Sequence, residues 1–168
     1  MTTTTTHKSI SERKVDLFYL SFFLLHVVII LLVDITPLYP ASIRPAFVDK
    51  VRSDYIEKYQ DKFFSEPAAW GKAYIFMEAV YHLPLSIWAV GAILRDAPMV
   101  PVHLLVFAVQ TFITTLTCLV DVWSWTDRTT EQKTTITYMY APYAAFAALM
   151  GIDMFYRLTE RVTKSKRD

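Results

Sequence analysis

The 168-residue chain has one cysteine and three glycines. Cys118 has no partner within the chain, so an intramolecular disulfide is excluded. With so little glycine there is no phosphate-cradling loop, and no nucleophile elbow is present either. The four histidines form no H-E-x-x-H motif, and a single cysteine cannot make a cysteine cluster. The sequence therefore implies no metal and no cofactor. Charge is sparse and balanced at a formal net of +1, which gives no reason to expect nucleic-acid binding.

What the chain does have is apolar residues, 54% of the total, gathered into long blocks between charged, proline-containing connectors. Four blocks are long enough to cross a bilayer: Val15 to Thr36, Ala69 to Leu94, Val102 to Val122 and Thr135 to Tyr156. The first is too long for a cleaved signal peptide and is followed by Asp34-Ile35-Thr36-Pro37 rather than a small-residue cleavage site. Residues 15–157 thus read as one membrane domain. Residues 1–14 form a polar, low-complexity tail and 158–168 a basic one. The expected fold is an all-α membrane protein, a four-transmembrane-helix bundle with a lumenal amphipathic helical loop.

Charge places both termini in the cytosol, through Lys8, Arg13, Lys14, Arg95 and the basic tail, although the bias is small. Lys164 and Lys166 in "KSKRD" resemble a dilysine retrieval signal, which is read only from the cytosol and implies an endoplasmic-reticulum address. An ordinary basic juxtamembrane tail is the alternative. Trp70, Trp123 and Trp125 all fall at the lumenal interface in this topology. In the first lumenal loop, Phe47, Val51, Tyr55, Tyr59 and Phe63 recur every four residues, an amphipathic helical pattern. Such a helix could lie on the membrane surface or roof a cavity.

Candidate functional residues are the polar ones inside the apolar blocks. A charged side chain in hydrocarbon costs several kcal/mol, so it normally faces a bundle interior or a wet cavity. Glu78 lies roughly 13 Å into its span, at 1.5 Å per residue. His82, four residues on, shares its helical face. Asp34 ends the first span, with His26 eight residues earlier. Because the first two spans are antiparallel, Asp34 and Glu78 belong to the same lumenal half. Two carboxyls converging in a low-dielectric pocket share one proton and leave a single negative charge. A basic amine, a carbocation-like species or a hydroxyl fits such a site. Alternatively, Glu78 is a structural acid bonded across the bundle and Asp34 reaches for the interface. Pro84 and Pro142 are expected to kink their helices and open space beside them. Tyr140 and Tyr143 flank Pro142 and offer aromatic walls with polar tips.

Several stretches, "LLVD", "EPAAWGKAYIFMEAVYHLP", "TFITTL" and "YMYAPY", resemble the sigma-2 receptor family. That family lies within the EXPERA group, which also holds the sterol Δ8–Δ7 isomerase, the emopamil-binding protein. The resemblance runs from about residue 15 to the basic tail. It implies an endoplasmic-reticulum homodimer whose intramembrane cavity takes sterols and hydrophobic cationic amines, with a role in sterol homeostasis or trafficking. It also implies that Asp34 pairs with the ligand amine and that Glu78 hydrogen-bonds Asp34. His26, Thr115, Tyr143 and His82 fall at pocket-lining positions, His82 in place of a glutamine. Asp61 matches an aspartate that stabilises the lumenal loop. Two function classes stay open: a non-catalytic binding protein, or an isomerase in which Glu78 and His82 act as acid and base. The isomerase's later acidic and Trp–Asn features have no clear match, since the third span offers Gln110 and Thr115. A transporter is disfavoured by the lack of an inverted repeat.

Overall fold

The computed structural model describes residues 9–165, so Lys166 of the tail signal lies outside the described residues. Every regular element among them is helical. α1 (Lys14–Ile29) runs into a π turn at Ile30–Asp34 and a short 3-10 turn at Thr36–Leu38. α2 (Ala46–Tyr59) and α3 (Lys62–Ser65) form the long connector. A second π turn, Glu78–His82, joins α4 (Ala69–Met77) to α5 (Leu83–Leu94). α6 (Val100–Ser124) and α7 (Thr130–Ser165) complete the chain.

Three rods are long and apolar enough to cross a membrane: Lys14–Asp34, Ala69–Leu94 and Val100–Ser124. α7 does not meet that criterion, because threonines, tyrosines and Asp153 dilute its apolar stretch. It packs along α6 nevertheless. The approach is close at Gly151, where an added Cβ would lie 3.6 Å from that of Ala108. α1 packs chiefly on α5. The shared core holds Phe23, Leu104, Phe107, Ile93, Met150 and Met154, while Phe18, Leu25, Val120 and Leu149 point outward. Large apolar side chains on the outside suit a lipid solvent.

Charged layers close the bundle at both ends. At one end Asp16 accepts from Arg13 (2.8 Å) and pairs with Arg157 (2.6 Å), which also reaches Asp153 (2.9 Å). Tyr19 donates to Asp153, Arg13 donates to the Ile93 carbonyl, and Arg161 donates to that of Pro98. At the other end Lys62 pairs with Asp127 (3.1 Å) and Arg128 donates to the Gln60 carbonyl (2.8 Å). From Asp16 to Asp34 no Asp, Glu, Lys or Arg intervenes. That interval is about 27 Å of helix, close to a hydrocarbon thickness of ~30 Å.

Local sequence explains several helix ends. Thr129 and Gln132 form a reciprocal capping box at the start of α7 (2.9 and 3.2 Å). Asp61 caps α3 by accepting from the Phe63 N–H (2.9 Å). The prolines behave differently from one another. Pro84 occupies the first turn of α5, immediately after the π turn, whereas α7 continues as helix through Pro142. The expected amphipathic helix is present but breaks at Gln60, whose left-handed φ of 56° ends α2. Its four-residue stripe drifts about 40° per step on a 3.6-residue helix. Phe47 and Val51 are therefore exposed, Val48 is buried, and Tyr55 and Phe63 turn inward.

Candidate functional site: a cavity beneath the α2–α3 roof

A cavity of about 610 Å³ lies between the main core and the roof. Four walls meet there. α1 and its π turn supply His26 and Asp34, and α4 with its π turn supplies Trp70, Tyr74, Glu78 and His82. α6 supplies Thr115 and Cys118, α7 supplies Tyr140 and Tyr143, and Tyr55, Phe63 and Phe64 form the roof. All seven residues singled out from the sequence as ligand contacts line this one space: His26, Asp34, Glu78, His82, Thr115, Tyr140 and Tyr143. Cys118, which the sequence marks only as unable to form an intramolecular disulfide, lines it as well. Trp70, Tyr74, Phe63 and Phe64 were not singled out as cavity walls. For Phe63 and Phe64 the signal was the aromatic run of the connector, whose inward face only the break at Gln60 defines.

The two π turns touch each other, so Asp34 and the Glu78–His82 segment face the same space. An i→i+5 turn widens the helix and turns side chains that an α-helix would spread. Glu78 Oε1 sits 3.2 Å from His82 Nδ1, close but poorly aligned for a hydrogen bond. Among the described residues no hydrogen bond joins Glu78 to Asp34, so the direct carboxyl–carboxyl bond expected from the sequence is not made. The π turn brings Glu78 to His82 instead. Glu78 Oε2 and both ring nitrogens of His82 are buried without a hydrogen-bond partner, and His82 is only 2% exposed. A buried unsatisfied polar atom costs about 1–3 kcal/mol, so these atoms favour an occupant that can bond to them.

His26 is held differently. Its Nδ1 shares a 3.0 Å hydrogen bond with Ser86 Oγ and its Nε2 one of 3.0 Å with the Tyr143 hydroxyl. Phe22 stacks on its ring at 5.2 Å. The residue thus ties α1, α5 and α7 together at the cavity's inner end. Asp61, fully buried, does the same for the roof. It accepts from Tyr55 and Tyr140, each at 3.0 Å, besides the Phe63 N–H. Burial pushes its carboxyl above the ordinary value, against the pull of those three donors and of Arg128. Burial and the Asp61 charge together raise Tyr55.

Fold and site together define a helical membrane protein built around an aromatic, acid-bearing cavity. The family model described as EBP, the EXPERA (EXPanded EBP superfamily) domain, matches residues 47–154. The chain belongs to the EXPERA superfamily, and the sigma-2 receptor resemblance read from its sequence is borne out by its relatives. It is 25% identical over 160 residues to human sigma intracellular receptor 2, covering 85% of this chain and 90% of that protein. It is 29% identical over 155 residues to the efficient mitochondria targeting-associated protein 19 of Schizosaccharomyces pombe, covering 90% of this chain and 80% of that one. The Saccharomyces cerevisiae protein of the same name is 34% identical over 74 residues, 44% of this chain.

Proposed function

We propose that this protein is a multi-pass endoplasmic-reticulum membrane protein that binds sterols and hydrophobic cationic amines in its cavity, with a role in sterol homeostasis or trafficking. In this reading four helices cross the bilayer, both termini are cytosolic, and α2–α3 roof the lumenal mouth. The fourth crossing is supported by α7 packing along α6 and by its charge pattern. Between Lys133 and Arg157, about 36 Å of helix, Asp153 is the sole charged residue. The protein acts as a homodimer. Two relatives named for an intracellular receptor and for mitochondria targeting are compatible with a ligand-binding or a trafficking role.

One observation carries the binding reading. A cavity of about 610 Å³, well inside the roughly 300–1,000 Å³ of small-molecule sites, has aromatic walls and places Asp34 and Glu78 on one side. In so apolar a space the Asp34 carboxylate attracts a desolvated ammonium, while the rings cover the ligand's hydrocarbon and add cation–π attraction. The test is binding of one hydrophobic amine to purified protein in detergent. Asp34→Asn should weaken it by about 2–5 kcal/mol, the loss typical for one partner of a buried charge pair. Unchanged affinity would sink the reading.

A second reading, sterol isomerisation, is favoured by the unpartnered Glu78 Oε2 beside His82, which could serve as proton donor and acceptor. Turnover of a Δ8-sterol by the purified protein would establish it, and the absence of product would retire it.

A further inference from the structure

We propose that His26, Glu78 and His82 form a site for a transition-metal dication of the zinc class at the inner end of the cavity. One ligand atom from each residue lies within 4.8 Å of the other two. Two imidazole nitrogens and one carboxylate oxygen are a donor set that zinc accepts, with a fourth position left open toward the cavity. At zinc bond lengths of about 2.0–2.2 Å, tetrahedral ligand atoms stand roughly 3.4 Å apart, so small side-chain rotations close the site. The sequence hides it: His26 precedes Glu78 by 52 residues, and only the packing of α1 against the rod that carries the second π turn, which sets the His26 and His82 rings 6.1 Å apart, brings them together.

The donors are also in the right state. His82 is 2% exposed; its ring nitrogens make no hydrogen bond, Nδ1 standing 3.2 Å from Glu78 Oε1 out of alignment, and Glu78 Oε2 is buried beside it without a hydrogen bond. Buried side-chain polar atoms nearly always have partners, so three such atoms in one cluster point to a ligand. Ser86 holds His26 through Nδ1, so Nε2, which now bonds the Tyr143 hydroxyl, is the nitrogen left to ligate, an arrangement common for metal-bound histidine. The Tyr143 hydroxyl, now at that nitrogen, swings aside to meet a metal-bound water. Phe22 and Phe107 pack the ring of His26 and exclude competing water. Glu78 neutralises one unit of the dication's charge, and Asp34 on the same cavity faces the remainder. This site does not depend on amine binding.

The test is cobalt(II) titration of the chelator-stripped protein in detergent, read by the visible absorption of tetrahedral cobalt and by metal per chain after desalting. His7→Ala with His103→Ala removes the other two histidines and serves as the background. One equivalent of cobalt in wild type and in this background is expected, displaced by zinc. Affinity should fall at least tenfold in Glu78→Gln and in His82→Ala. Less than a tenth of an equivalent in wild type overturns the proposal without any variant. Loss of binding in the background, or retention in both Glu78→Gln and His82→Ala, overturns it too by placing the metal elsewhere.

Discussion

Asp34 and Glu78 lie in one apolar space but make different contacts. Glu78 has an imidazole at 3.2 Å, whereas Asp34 lines the cavity from the neighbouring rod. Their removal should therefore have unequal effects on an amine ligand. With chelator present, Glu78→Gln keeps shape and hydrogen bonding and should weaken binding only a few-fold. His82→Gln should be tolerated. Asp34→Asn should show the large loss given above, and a reversed order in the same titration would exchange the two roles. Asp61 predicts a pH effect of another kind. Its carboxyl is raised in the folded state, so above its ordinary value near 4 the folded protein holds more protons than the unfolded chain. The stability from this group is complete below that value and is lost as pH rises through the raised one. Thermal unfolding of wild type should show that decline, and Asp61→Asn should flatten it. An unchanged slope would assign the dependence to another group.

At the scale of the element, much was legible in the sequence. Hydropathy blocks gave the rods to within a few residues, because lipid-facing helices need long uninterrupted apolar runs. The glutamate and histidine four apart announced a buried polar face. The two π turns were not legible, because an i→i+5 turn is chosen by how the rods fit and not by local preference. The same holds for the His26–Ser86 and His26–Tyr143 bonds, which depend on which helices become neighbours. The break at Gln60 escaped as well, since its sequence lacks the glycine that commonly marks a left-handed helix end. The second π turn yields a direct test. Deleting Val80, which is exposed, should regularise the helix and rotate α4 by about 100° relative to α5. Trp70 and Tyr74 would then leave the cavity. Amine binding should vanish while circular dichroism stays helical, and retained binding would show that the turn is dispensable.

For the molecule as a whole, the charged layers at the two ends act as stops that fix its depth in a bilayer. The proposed topology puts the roof in the lumen. A glycosylation acceptor introduced between residues 40 and 45 should be modified in microsomes, and one introduced at the α5–α6 turn should not. The opposite pattern would invert the protein.

The cavity wall also has a side facing outward. Leu25 and Ile29 line the cavity, yet they are 60% and 40% exposed on the lipid-facing surface of α1. The far end is closed by the Arg13–Asp16–Arg157 clasp and the mouth by the Asp61 tyrosines. The shortest way in is then sideways, from the hydrocarbon. The reservoir that such a site samples is the membrane, and the relevant concentration is mole fraction in lipid. For a series of amines, apparent aqueous affinity should rise with bilayer partitioning even where the contacts made inside are equal. Adding empty detergent micelles at constant protein should weaken every member of the series by dilution alone.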